Sequence, residues 1–279
     1  VFNPEQIVML HFGAVDFFCQ VWVNGRQVGN HFGGYLPFCF DITSELQDGQ
    51  NTLLVMVQDE TEAALHQKGK QRLHPGGIWY TSVSGIWQTV WLEVLPKRHI
   101  RSLKITPVID TNILEVKVKV SDETLRSICQ IEAIASFEGQ EVGRVRSGPK
   151  STLVFHLPNA KLWHPDHPYL YDLDVRIVEV DEVVDQVKSY FAMRKFGKTK
   201  DEKGLWRFTL NNKPIFQYGP LDQGYFPDGL YTPPSEEAML FDIEYAKKIG
   251  CNMIRKHVKV EPLRWYHACD KLGLIVWQD

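Results

Sequence analysis

Five polar residues in the last third of the chain fall where strands should end. Asp222 and Gln223 follow a run over 213–221 that can hold a strand. Arg255 and His257 follow a short apolar-leaning run over 251–254. Asp279 follows the fully apolar run 274–277. A guanidinium in such a place can hold a nearby carboxylate in a charge-assisted pair and so fix its ionisation. It can equally form a structural ion pair beneath a site. A second pairing, His164 with His167, has i, i+3 spacing, but Pro165 and Pro168 are interleaved with it. A proline-stiffened surface turn is the preferred reading there over a metal pair. The five cysteines (Cys19, Cys39, Cys129, Cys251, Cys269) are scattered, with no CxxC or Cys/His spacing. They are expected to be small buried hydrophobes, and neither a metal nor a cofactor is expected.

The elements that must position these residues follow an alternating pattern. Ser235 is a candidate N-cap, with Glu236 and Glu237 in the first turn beside the positive end of the helix dipole. Met239, Leu240, Ile243 and Ala246 or Lys247 trace a helical face, and Gly250 ends it. Glu261-Pro262 opens a second helix, on which Leu263, Tyr266, Cys269 and Leu272 would face a core before Gly273 stops it. The run 274–277 has the composition of a strand buried on both faces. Strand–helix–strand–helix–strand with right-handed crossovers makes the strands parallel. All the polar candidates then sit at carboxyl strand ends, where a (β/α) barrel builds its site.

The first two thirds have period-two patterning. Strand candidates lie at 8–12, 17–23, 37–42, 52–57 and 86–94, with Asn24-Gly25 as a hairpin turn into 27–29. This predicts an all-β sandwich over 1–96. Alternating runs at 100–107, 114–120, 128–137, 151–157, 169–175 and 183–191 predict an immunoglobulin-like sandwich over 97–197, without a paired-cysteine signature. The connection 60–83 is long and without clear period. It holds His66, Lys68, Lys70, Arg72, His74, Trp79 and Tyr80. Long connections in compact domains are usually functional or disordered. The charged cluster is read as a solvated loop, and Trp79 either packs or serves a site.

Several phrases carry a resemblance. Val21-Trp-Val-Asn-Gly-Arg-Gln-Val-Gly29, Gly33-Gly-Tyr-Leu-Pro-Phe38, Asp41-Ile-Thr43 and Ser84-Gly-Ile-Trp87 resemble the jelly-roll sugar-binding domain of glycoside hydrolase family 2. Leu162-Trp-His-Pro-Asp-His-Pro-Tyr-Leu-Tyr171 and Phe208-Thr-Leu-Asn-Asn-Lys-Pro-Ile215 match further phrases of that family. Asn252-Met-Ile-Arg255-Lys-His257, Trp265-Tyr266 and Cys269-Asp-Lys-Leu-Gly-Leu-Ile-Val-Trp277 resemble its early barrel. The family holds β-galactosidases, β-glucuronidases and β-mannosidases. The resemblance implies a jelly roll over 1–96, an immunoglobulin-like spacer over 97–197 and the first part of a TIM (β/α)8 barrel over 198–279. It implies that Asp222, Gln223, Arg255, His257 and Asp279 belong to a substrate-binding rim, and that the 60–83 connection brings Trp79 or Tyr80 to it. Relatives often place an acidic residue where Trp79 and Tyr80 stand. It also implies two catalytic glutamates at later strand ends, the acid/base preceded by asparagine. No Asn-Glu dipeptide occurs here. The expectation is therefore an N-terminal fragment of a retaining, exo-acting β-glycoside hydrolase, trimmed before its own first strands and inactive by itself.

Composition agrees with that class. In 279 residues, hydrophobic content is 44%, charged content is 23% and the formal net charge is −3. Such a balance gives no reason to expect nucleic acid. No run is long and apolar enough to span a membrane as a helix. Most of the eight tryptophans are expected in cores, with aromatic platforms for sugar rings the minority reading. The partner expected is a carbohydrate substrate, and an open three-strand edge leaves room for a homo-oligomer. Periplasmic and extracellular settings stay open. The competing reading is a carbohydrate-binding or adhesion module without catalysis. It gives no use to helices and strand-end polar residues after Lys213.

Overall fold

Phe18–Val23 and Arg26–Phe32 pair antiparallel across the two residues Asn24 and Gly25, whose φ values are +50° and +82°. A two-residue hairpin needs this left-handed pair because it matches the twist of the strands. The Asn24 side chain then ties the hairpin down. It accepts from Thr52 N at 2.9 Å and donates to Glu45 O at 2.7 Å. The computed structural model describes residues 3–63, 65–121 and 129–279.

Two three-stranded sheets form the first sandwich. One has the order Val90–Pro96, Gln6–Phe12, Phe38–Asp41; the other has Arg26–Phe32, Phe18–Val23, Leu53–Gln58. Alternation sends Val8, Leu10, Phe12, Cys19, Val21 and Val23 into one apolar core. The run expected at 86–94 is two strands, Gly85–Ile86 and Val90–Pro96. Between them Trp87 turns inward, and its indole donates to Gly34 O at 2.8 Å.

The second sandwich has three strands (Ile100–Val108, Ile113–Val120, Leu153–His156) facing four (Gln140–Ser147, Cys129–Phe137, Tyr171–Glu179, Glu182–Phe191). Leu114, Val116, Ile131, Leu153, Phe155, Leu173, Val175 and Ile177 are all at most 1% exposed in its core. The strand Gln140–Ser147 was not expected. Its Glu141, Arg144 and Arg146 are edge-strand charges that hide its period. Ile128, expected in the neighbouring strand, lies outside the described residues.

After a hairpin built from Phe196–Lys200, Trp206–Leu210 and Lys213–Pro214, the grammar changes. The single strand expected over 213–221 is two short ones: Lys213–Pro214 closes that antiparallel sheet, and Leu221–Asp222 opens a parallel one. Gly219 and Pro220 separate them. A Cβ at Gly219 would lie 1.6 Å from Met253 O, so only glycine lets the chain pass there. The parallel sheet has the order Leu221–Asp222, Met253–Lys256, Ile275–Gln278, with helices Glu236–Lys248 and Leu263–Leu272 between its strands. Ser235 caps the first helix, its Oγ accepting from Ala238 N at 3.2 Å, and Met239, Ile243 and Ala246 are buried as the periodicity predicts.

The second helix corrects its expected face. Trp265, Ala268 and Cys269 are the buried residues, while Leu263 is 81% exposed. The large indole, not the first leucine, fixes the rotation. Two further corrections concern residue types. Cys39 is exposed, although the other four cysteines are buried. Only Trp87, Trp163 and Trp265 are buried, while Trp79, Trp91, Trp206 and Trp277 stand open to solvent.

The chain forms two compact units. One comprises Val1–Leu95, Gly219–Cys269 and Ile275–Asp279, and the other Pro96–Tyr218 with Asp270–Leu274. The first sandwich and the parallel sheet thus belong to one unit.

Candidate functional site at the parallel strand ends

Register decides where the rim residues point. Leu221, Arg255 and Trp277 form one row across the parallel sheet, and Asp222, Lys256 and Gln278 form the next. Successive residues of a strand face opposite sides. The first row is open, with Leu221, Arg255 and Trp277 all exposed. In the second row Lys256 is 1% exposed. Arg255, expected just past its strand, is inside it, as is Asp222.

On the open side, Arg255 pairs with Asp279. Its Nε donates to Asp279 Oδ2 at 3.0 Å and its Nη2 donates to the same oxygen. Asp279 is held below the ordinary carboxylate range: burial, the largest single influence, works against ionisation but is outweighed by the Arg255 hydrogen bond and charge together with the Val258 N–H. This is a charge-assisted pair at a strand-end rim, able to orient a polar ligand on its free lone pairs and N–H groups.

The other side holds a buried cluster that sequence reasoning missed. Lys256 Nζ donates to Asp222 Oδ2 and, at 2.8 Å, to Glu261 Oε1. Lys259 Nζ lies 3.0 Å from Glu261 Oε1 and donates to Gly224 O at 2.7 Å and Tyr231 O at 2.8 Å. Both ammonium groups also face aromatic rings, Lys256 over Trp265 at 4.4 Å and Lys259 over Tyr231 at 5.2 Å. Burial pulls the Lys259 ammonium below its ordinary value, and Glu261 partly restores it. Asp242, on the first helix, is pushed up by burial and then by the charge of Asp222. The missed signal was the set Lys256, Lys259 and Glu261 within six residues after a strand. Only burial distinguishes it from a solvated charged stretch.

Tyr80 and Trp79 part company. Tyr80 stacks on Tyr225 at 4.4 Å and, with Asp222, Gln223, Tyr225, Asp242 and Tyr245, lines a cleft of about 420 Å³. Trp79 does not line it; its ring carries the Arg72 guanidinium at 4.4 Å. His257 donates its backbone N–H to Asp222 O at 2.8 Å, and its buried Nδ1 has no hydrogen-bond partner among the described residues. The structure therefore joins Asp222, Gln223 and Tyr80 around one cleft and pairs Arg255 with Asp279, neither of which lines it. Among the described residues no group of three or more His, Cys, Asp or Glu side chains is placed to hold a metal ion. No helix among them is long and apolar enough to cross a membrane.

Comparison with known proteins places these features in a lineage. The family description "Glycosyl hydrolases family 2, sugar binding domain" matches residues 3–96, and "Glycosyl hydrolases family 2" matches residues 98–194. A putative beta-glucuronidase of Formosa agariphila is 30% identical over 283 residues, covering 99% of this chain and 33% of that protein. A beta-galactosidase of Thermoanaerobacter pseudethanolicus is 26% identical over 289 residues, covering 98% of this chain and 37% of that protein. The crystal structure of a putative beta-galactosidase from Bacteroides fragilis superimposes with a TM-score of 0.80 at 25% identity, covering 98% of this chain and 42% of that one. The chain thus spans about a third of the length of the curated relatives it matches.

Proposed function

We infer, from the premise that this chain belongs to glycosyl hydrolase family 2, that it is the sugar-binding and early-barrel part of a retaining, exo-acting β-glycoside hydrolase. Residues 1–96 are the jelly-roll domain, 97–197 the immunoglobulin-like spacer and 198–279 the start of a TIM barrel. The observation that carries this reading is the parallel sheet Leu221–Asp222, Met253–Lys256, Ile275–Gln278, with a helix in each crossover and polar side chains gathered at the carboxyl ends. Barrels of this kind build their sites there. A two-domain binding module has no need of such a sheet.

On this reading the substrate is a carbohydrate. Arg255 with Asp279, His257, and the Asp222–Gln223–Tyr80 cleft supply hydrogen bonds to sugar hydroxyls, with Trp79 at the margin of the same loop. Retaining hydrolysis needs two carboxyl groups about 5 Å apart, one acid/base and one nucleophile. The family's acid/base glutamate follows an asparagine, and these 279 residues contain no Asn-Glu dipeptide. The 279 residues therefore bind but do not cleave.

The test has two readouts on the 279-residue protein. Purified chain is expected to release no nitrophenol from nitrophenyl β-glycosides; turnover that survives contaminant controls would overturn the inactivity. Titration with the same glycosides, followed by NMR, is expected to shift resonances of Tyr80, Gln223, Arg255 and Asp279. Shifts confined to residues 97–197 would overturn the rim.

A further inference from the structure

A second polar group lies inside the first sandwich, and the rim does not use it. Asp16 is 3% exposed, and its Oδ1 has no hydrogen-bond partner among the described residues. The Gly34 backbone lies so close that a Cβ there would come within 2.5 Å of that oxygen. The charged neighbour is Asp59. It accepts from Ser84 Oγ at 2.5 Å, from Thr61 N at 2.8 Å and from Thr61 Oγ1 at 2.9 Å, and His66 Nε2 lies 3.7 Å away. Gln71, 1% exposed, accepts from Val83 N at 2.5 Å and donates to Tyr35 Oη at 3.4 Å.

The two carboxyls are pushed apart. Burial first, and the Asp59 charge second, raise Asp16 to about 7, with Gln71 acting weakly the other way. Burial also works against an ionised Asp59, but Ser84, Thr61 and His66 outweigh it and hold that carboxyl low. Below neutral pH the proton therefore sits on Asp16 beside an ionised Asp59.

The roof of this group is the seat of residues 225–232. Tyr35 Oη and Tyr231 Oη lie 3.4 Å apart. Trp87, whose indole holds Gly34 O, has its ring 5.2 Å from that of Tyr231. Thr232 Oγ1 donates to Trp87 O at 2.7 Å. Ala14, Tyr35, Val83, Trp87 and Tyr231 form one buried apolar cluster. The segment that leads from the Asp222 rim to the first helix is thus anchored on Tyr35 and Trp87, and through the Trp87 indole on the Gly34 backbone that packs against Asp16.

We propose that the Asp16–Asp59 pair is a pH-sensitive latch: the proton on Asp16 keeps residues 225–232 seated on the first sandwich, and its loss loosens that seat. Among the described residues, the other titratable groups near the pair are Tyr35, Tyr225, Tyr231 and His66. Burial raises Tyr35 and Tyr231, and raises Tyr225 to about 12, so the phenols stay neutral. Lys259 stands on the far side, its Nζ 5.2 Å from the Tyr231 ring, and His66 faces Asp59. The sign follows from the raised value. The stabilisation is full below the ordinary Asp value of 3.8, is lost as pH rises toward about 7, and falls no further above it.

Amide hydrogen exchange of residues 226–232, corrected for intrinsic rates, tests the latch. Between pH 5.5 and 8 the protein is expected to lose about tenfold to thirtyfold of protection there, since each pH unit below the folded value is worth about a factor of ten. Asp16→Asn, which imitates the protonated carboxyl, is expected to flatten that dependence, and His66→Gln to leave it in place. A change under about twofold in the unsubstituted protein, an unchanged slope in Asp16→Asn, or a slope abolished by His66→Gln would each overturn the proposal. Should Asp16→Asn fail to fold, carboxyl carbon NMR of the unsubstituted protein decides. A midpoint near 7 for Asp16 supports the latch, and one below about 5 ends it.

Discussion

The second sandwich and the segment around 219–261 bury their side chains by opposite rules. In the sandwich the innermost positions are Leu114, Val116, Ala133, Leu153, Phe155, Leu173, Val175 and Ile177, and charges stay outside. In the rim segment the innermost side chains include Lys256, Lys259 and Glu261, each at most 4% exposed. The first arrangement draws its stability from apolar area removed from water. The second gains little net stability, because desolvating ions costs about as much as their attraction returns. What the cluster does offer is fixed geometry. Lys256 holds Asp222 at the end of its strand, and Lys259 holds the backbone of Gly224 and Tyr231.

The largest expected effect breaks the rim. Lys256→Met leaves the half-buried Asp222 carboxylate without its cation and Glu261 with Lys259 alone, at a cost of about 3–5 kcal/mol in denaturant unfolding. Adding Asp222→Asn to the same chain removes the carboxylate that Lys256 alone balanced, leaves Glu261 paired with Lys259, and is expected to recover part of that loss. If the double variant is no more stable than Lys256→Met, the cluster is held by packing and the comparison fails.

Sequence patterning read these two regions unequally for the same reason. Hydrophobic period two located six of the seven strands of the second sandwich, because each buried one apolar face. It missed Gln140–Ser147, whose charges at Glu141, Arg144 and Arg146 serve an edge. At the rim the apolar runs located Met253–Lys256 and Ile275–Gln278 to within two residues, but ran Leu221–Asp222 together with Lys213–Pro214, and turn chemistry located the cap at Ser235. The buried lysines were illegible. Nothing in the letters Lys-His-Val-Lys-Val-Glu says that Trp265, Tyr231 and Trp87 will close over them. The face of the helix Leu263–Leu272 was misread on the same account, because Trp265 turns toward Lys256 and carries the helix with it.

An intermediate effect sharpens the sandwich half. Leu173, 1% exposed, lies in the middle of Tyr171–Glu179, paired on both sides. Leu173→Ala is expected to cost about 3 kcal/mol from lost transfer energy and a residual cavity. Unlike the Lys256→Met loss, it has no electrostatic part, so second substitutions at charged positions will not recover it. A loss under about 1 kcal/mol would mean that the site collapses around the alanine and that this core is less tightly packed than its burial implies.

The smallest effect comes from the Arg255–Asp279 pair, of which the sequence suggested only a guanidinium beside some carboxylate. Arg255 and Asp279 have side chains 48% and 39% exposed, at the open face of the same sheet that buries Lys256. Water screens such a pair, and holding two long side chains together costs entropy, so exposed pairs contribute only about 0–1 kcal/mol. Arg255→Gln is therefore expected to change unfolding by that amount at low salt and by nothing measurable at high salt, where the Debye length shrinks. Lys256→Met, one residue along the strand, is expected to keep its full cost at both salt concentrations, since its partners lie out of reach of the ions. The contrast between adjacent residues is the strictest form of the comparison. A salt-insensitive loss of 2 kcal/mol or more, roughly the cost of a buried pair, for Arg255→Gln would place Arg255 in the buried cluster's class. A negligible cost leaves the guanidinium free of any duty to the fold and places its value in what it presents at the rim.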